Sequence, residues 1–189
     1  YTQTEFFLSQ LSQQHVLIDP AKVSILHTQS IQKNNQLVQD INPSTLFKSR
    51  KHATEITHIR NAMTKDGVAL SHFFYWLETA LTQNQPINEL TIDEKITAFR
   101  AEQVGFIGLS FSTIAGFNAN GALPHYRATK DSYSQIQGDG LLLIDSGAQY
   151  HDGTTDITRV IPIGTPSTEQ KRDYTLVLKC HIALAQTVF

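Results

Sequence analysis

Apolar residues recur along this chain in two rhythms, one helical and one alternating, and together they divide it into elements. From Thr4 to Gln13, Phe7, Leu8 and Leu11 fall at helical spacing, and His15 to Ile18 alternates as a short strand. Asp19-Pro20 pairs a capping acid with a residue suited to the first helical position, and Val23, Leu26 and Ile31 would line the helix it opens. Leu37 to Ile41 predicts a second strand before Asn42-Pro43, and a domain boundary is expected between Asn42 and Lys48. Beyond it, Ile56, Ile59 and Met63, then Leu70, Phe73, Phe74, Leu77 and Leu81, share one helical face, with Asp66-Gly67 expected to break or kink the run. Thr91-Ile-Asp-Glu94 has the capping-box pattern for a helix through Gln103, with Ile92, Ile96 and Phe99 on one face.

The second half of the chain changes period. Phe106 to Ile114 alternates apolar residues with serine, as a strand does, and Gly116, Asn118, Asn120 and Gly121 mark the loop that follows. Leu141 to Tyr150 and Thr155 to Ile163 read as two strands of a hairpin around the turn-forming Asp152-Gly153. Ser132 to Gly138 is polar and reads as surface loop, whereas Gly164-Thr-Pro166 followed by Ser167-x-x-Gln170 opens a last helix. Trp76 reads as packing, and Cys180, the only cysteine, as a small buried hydrophobe on that helix.

Two residues in the hairpin depart from this apolar logic. Asp145 and Asp156 stand where an ordinary strand carries apolar or neutral side chains, and they look like ligands for a metal pair. Alternation puts Leu141, Leu143, Asp145 and Gln149 on one face, and Asp156, Thr158 and Val160 on one face of the partner strand. In a register that sets Asp145 opposite Asp156, their β-carbons would lie roughly 4.5–5.5 Å apart. That suits carboxylates embracing ions about 3.5–4 Å from each other. A tight turn on Asp152-Gly153 would instead pair Asp156 with Gln149 and part the acids by about 13 Å, at roughly 3.3 Å per residue. The metal reading therefore calls for the wider loop. Aspartates picked blindly more often cap turns or meet arginines, and Asp152 and His151 read as turn residues. Glu55 with His52 and His58 has the three-residue spacing of a metal helix, but no second helix offers a matching Glu-x-x-His, so a solvated face is expected.

Composition narrows the partners. With 189 residues, 40% hydrophobic and 17% charged, the chain suits one globular domain or one and a fraction. A formal charge of −2 offers no basic footprint for nucleic acid or an anionic membrane. No apolar run approaches the roughly 18 residues that span a bilayer, and the first residues lack a secretory signal pattern. A lone cysteine excludes an internal disulfide and fits a cytoplasmic protein.

The motifs extend well beyond the two acids. Leu-Ile-Asp145-Ser-Gly-Ala-Gln-Tyr, Asp-Gly-Thr-Thr-Asp156-Ile-Thr-Arg159, Gly164-Thr-Pro166 and the helix from Tyr174 closely resemble the aminopeptidase P family, the X-prolyl aminopeptidases among the pita-bread metallopeptidases. Asn118-Ala-Asn-Gly121-Ala-Leu-Pro-His125-Tyr126 resembles that family's approach to a catalytic histidine. Glu55-Ile-Thr-His-Ile-Arg60 with Asp66-Gly67 resembles its opening helices, so the likeness covers roughly residues 48 to 189.

The resemblance implies an α+β fold, in which residues 46–189 form the N-terminal half of a pita-bread catalytic domain. Residues 1–45 would be the tail of a preceding α/β non-catalytic domain of the creatinase N-terminal type. It further implies Asp145 and Asp156 as ligands of two divalent ions, Mn2+ being expected, with Asp156 bridging them. His125 would contact substrate near the scissile bond. Metal-activated water would release the first residue of peptides with proline in second position, and the intact enzyme would be a homodimer. The family completes its site with a further histidine and two glutamates, one of them the general base, in segments this chain does not contain. The site is therefore expected to be incomplete here and the fragment alone inactive. Two relatives on the same fold stay open as alternatives, a prolidase-like X-Pro dipeptidase and a non-peptidase or binding member.

Overall fold

The computed structural model of the chain describes residues 3–188, which divide into two compact units between Ile56 and Thr57. The first holds α1 (Thr4–Gln10), β1 (His15–Ile18), α2 (Ile25–Gln32), β2 (Gln36–Gln39) and α3 (Pro43–Ser49). The two strands pair in parallel, His15 against Gln36 through Ile18 against Gln39, and Ile18 and Ile31 are buried. Asp19-Pro20 does not open a helix. Asp19 is buried, and its carboxylate accepts from the backbone N–H groups of Ala21 and Asn42, so it ties a turn to the start of α3. Ser24 is the residue that caps α2, and Asn42 caps α3 with Pro43 in its first turn.

The second unit is built on α4 (Ala53–Thr82), a single helix of 30 residues whose first turn lies in the first unit. It runs through Asp66-Gly67 without a break. A mid-helix glycine costs only about 1 kcal/mol, and Asp66 is held within the helix by a buried ion pair with Arg100. The inward face of the helix also differs from the expected one in its first half. Ala62, Asp66 and Ala69 are buried, whereas Ile56, Ile59 and Met63 are exposed. Small residues let other elements approach the helix closely there. The second half buries Leu70, Phe73 and Leu77 as the periodicity predicts.

α5 (Glu89–Ala101) starts earlier than Thr91, because Asn88 is its cap and accepts from the backbone N–H of Thr91. The stretch Phe106 to Ile114 is not one strand but parts of two, β3 (Phe106–Leu109) and β4 (Ile114–Phe117). The hairpin is likewise divided into β5 (Gly140–Ser146), β6 (Ala148–Tyr150), β7 (Gly153–Thr154) and β8 (Ile157–Ile163). Two antiparallel three-stranded sheets result, in the orders β3-β6-β7 and β4-β5-β8. Strands β4, β5 and β8 turn Ala115, Phe117, Leu142, Ile144, Ile157 and Ile163 into a core shared with α4 and α5. The arrangement is α+β. The other face of that sheet carries Leu141, Leu143 and Asp145, all half-buried.

The Ser167 and Gln170 capping box opens α6 (Thr168–Ala185) as the motif predicts. None of its residues is buried, and Cys180 is exposed rather than packed. Leu176, Val177, Ile182 and Leu184 are exposed as well, so most of this helix is left uncovered among the described residues. No helix among them is long and apolar enough to cross a membrane.

One ionic network ties the second unit together. Arg100 and Asp66 are both 0% exposed and meet through two hydrogen bonds of 2.8 and 3.0 Å, and the Tyr150 hydroxyl donates to the same carboxylate at 3.0 Å. It joins α4, α5 and β6. Burial, and then the Asp66 charge, push the Tyr150 phenol well above its ordinary value. Asp66→Ala strands a buried guanidinium, and the expected loss is about 3–5 kcal/mol in the stability of this unit, read from urea denaturation. Tyr150→Phe, which removes one hydrogen bond, should cost nearer 1–2 kcal/mol.

Candidate active site

Both candidate acids flank a bend that only glycine can make. A Cβ on Gly147 would lie 2.0 Å from the Thr155 carbonyl oxygen and 2.3 Å from Ser110 Oγ. That close approach lets Ser110 donate its N–H to the Gly147 carbonyl and its hydroxyl to the Thr155 carbonyl. Thr155 Oγ1 in turn accepts from the Ala148 N–H at 2.9 Å. Here the three chain segments leave one sheet and enter the other. Asp145 stands two residues before Gly147, and Asp156 directly follows Thr155.

The register matches neither the directly opposed pairing nor the Asp152-Gly153 turn. Asp145 pairs with Thr158, Gln149 with Thr154 and Tyr150 with Gly153, so the turn is His151-Asp152. Continued across the bend, this register sets Asp156 against Gly147. The acids are thus diagonal neighbours instead of directly opposed, and the loop is tight instead of wide. Such diagonal pairs on one face lie roughly 7–8 Å apart at the backbone. Burial of Tyr150 on Asp66 holds the register. The turn is held from α4 as well, because Asp152 accepts from Lys65 and lies 3.4 Å from His58 Nδ1. The hydrogen bond from Lys65, then that from His58, keeps the Asp152 carboxyl below its ordinary value. Asp152 is therefore more than a turn former, while His151 is an exposed turn residue as expected.

Neither candidate acid is neutralised by a cation. Thr158 Oγ1 donates to Asp145 Oδ1 at 2.8 Å, while exposed Asp156 has no hydrogen bond or ion pair among the described residues. The near pair of His52 with Glu55 lies on solvated surface.

His125 sits on the segment that follows β4. A short 3-10 helix, Asn118–Ala122, folds back so tightly that a Cβ on Gly116 would meet the Gly121 backbone at 2.6 Å. His125 is exposed and takes a left-handed φ of 58°. Asn118 pins the start of the segment, accepting from the Leu141 N–H and donating to the Asp139 carbonyl. Further on, Asn120 and Tyr126 both bond to Glu89, a fully buried carboxylate at the first position of α5. Burial, and next the Glu89 bond, push the Tyr126 phenol from 10.0 to about 12.

A sequence profile described as Metallopeptidase family M24 matches residues 57–189. The chain belongs to this family. It is 42% identical over 147 residues to Aminopeptidase P2 of Arabidopsis thaliana, a match that takes in 78% of the chain and 21% of that protein. With Xaa-Pro aminopeptidase 1 of Dictyostelium discoideum it shares 39% identity over 178 residues, 92% of the chain and 28% of the relative. The crystal structure of an X-prolyl aminopeptidase from Caenorhabditis elegans, described as a cytosolic enzyme with a di-nuclear active site, superposes with a TM-score of 0.85 at 29% identity. That superposition covers the whole chain and 32% of the worm enzyme, and it makes the fold the pita-bread type of the M24 family. The chain thus spans about a fifth to a third of the length of these relatives.

As members of an M24 chain, Asp145 and Asp156 supply hard oxygen donors of the kind divalent cations take. Among the described residues, no three His, Cys, Asp or Glu side chains converge in a metal-binding cluster. The donor set fits in kind and covers part of what such ions need. Glu89 and Tyr126 escape the sequence reading. An Asn cap at position 88 was the available signal for the first, since it moves Glu89 inside the helix.

The raised phenol is directly checkable. Its folded value lies above its unfolded one, so the stability it contributes is fully present below pH 10 and lost as pH climbs through about 12. In an ultraviolet phenolate titration, Tyr126 and Tyr150 should ionise above the ordinary phenol range, and Tyr126→Phe should remove one group from that late class.

Proposed function

We propose that this chain is part of an Xaa-Pro aminopeptidase, releasing the first residue from peptides whose second residue is proline. Asp145 and Asp156 would hold two divalent ions, with Mn2+ as the expected metal, and His125 would act on the substrate. The observation that carries this reading is a pair of uncompensated carboxylates astride one bend, in a chain about 40% identical to proteins named for that activity. Diagonal placement leaves room for more than one ion between the acids.

The roles of the chain's own residues follow from their contacts. The Thr158 hydroxyl fixes the Asp145 carboxylate through one oxygen and leaves the other free for a cation, as outer partners of metal ligands commonly do. Bound ions would supply a water of lowered pKa and polarise the scissile carbonyl. The exposed His125 imidazole would donate a hydrogen bond to the peptide group as negative charge develops there. Since proline has no amide hydrogen, the substrate offers no donor at that position, and shape must select it. The same reading makes the intact enzyme a cytoplasmic homodimer; the worm relative is described as cytosolic.

Substitutions in the intact enzyme separate these roles. Asp145→Ala and Asp156→Ala should each lower bound metal and abolish cleavage of an Xaa-Pro-Yaa peptide, measured by elemental analysis and product release. Unchanged metal and turnover in either variant would remove that residue from the site. His125→Ala should keep the metal and lose about a hundredfold to a thousandfold in kcat, as removal of a transition-state donor does.

A further inference from the structure

Glu89 holds more donors than a helix cap requires, and they come from one place. Its Oε1 accepts from the Phe117 N–H at 2.7 Å and from Asn120 Nδ2 at 3.0 Å. Its Oε2 accepts from the Tyr126 hydroxyl at 2.8 Å, the Ser134 N–H at 2.7 Å and Asn120 Nδ2 at 3.2 Å. All four residues belong to segment 117–134, and they bracket His125 on both sides. Asn120 also touches the Tyr126 and Ser134 hydroxyls at 3.0 Å, which closes the group into one network.

His125 has no comparable tether of its own. Its side chain makes no hydrogen bond or ion pair among the described residues, and its φ of 58° is a conformation that costs a side-chain-bearing residue on the order of 1–2 kcal/mol. The location of its imidazole is therefore set by its backbone, and the nearest fixed point on that backbone is Tyr126.

We infer that Glu89 is a positioning residue for His125, its carboxylate gathering Phe117, Asn120, Tyr126 and Ser134 so that the histidine-bearing turn stays in its left-handed conformation. A charge buried at the N-terminus of α5 suits this role, since the helix end favours an anion while the loop supplies the donors. Glutamine at this position would turn an amide NH2 toward groups that are themselves donors.

The activity arm rests on the proposed aminopeptidase reading; the exchange arm does not. In the intact enzyme, Glu89→Gln should lower kcat for an Xaa-Pro-Yaa peptide by about tenfold to a hundredfold, the scale of a small misplacement, with KM and metal content unchanged. In a His125→Ala background, the same change should have no further effect. Tyr126→Phe, which keeps the carboxylate, should give a smaller loss of the same kind. Amide exchange by mass spectrometry should quicken in Glu89→Gln across residues 117–134 and stay as before in α4 and β5. An unaltered kcat, an equal loss with and without His125, or exchange that rises throughout the unit or nowhere would overturn the inference. If the unaltered enzyme cleaves no such peptide, the aminopeptidase reading fails, and the exchange pattern alone decides the role of Glu89.

Discussion

The close backbone approach at Gly147 is the constraint on which the site depends. Three segments come within hydrogen-bonding distance there because one of them carries no side chain, and each passes from one three-stranded sheet to the other. Without the bend, β5 and β6 would continue as one strand and the residues on either side would keep a simple alternation. With it, Asp145 and Asp156 emerge from the same junction. Any larger residue at Gly147 would have to displace the Thr155 carbonyl, which immediately precedes the second acid.

Two buried acids then divide the work of holding the surroundings. Asp66 takes the Arg100 guanidinium and the Tyr150 hydroxyl, which seats the hairpin on α4 and α5. Glu89 takes only neutral donors from the segment after β4. One acid is balanced by a full charge and the other by hydrogen bonds alone, as buried carboxylates must be by one means or the other. Between them they fix the two stretches of chain that carry the candidate chemistry.

Much of the local structure is legible in the sequence because it rests on local chemistry. The strand His15–Ile18, the capping box at Ser167 and Gln170, and the burial of Leu70, Phe73 and Leu77 on α4 follow from period and capping. The sequence reading goes astray where distant contacts decide. Asp66-Gly67 looks like a helix breaker until Arg100, 34 residues away, is seen to bind it. Asp19-Pro20 looks like a cap until Asn42 claims its carboxylate. The strands seem continuous because nothing near Gly147 in sequence announces Ser110 and Thr155. At the candidate site, the alternation groups Asp145 with Leu141 and Leu143 on one face, which the structure turns away from the core, while the pairing of Asp145 with Thr158 depends on where Tyr150 is buried.

The hairpin is fastened to one side of a single long helix. His58 and Lys65 meet Asp152, and Asp66 meets Tyr150, so the contact spans nine residues of α4, roughly 12 Å over eight rises of about 1.5 Å. A hairpin gripped over more than two helical turns cannot swing independently of its support. A small rotation of α4 about its own axis would therefore carry the hairpin, and both acids at its base, along with it.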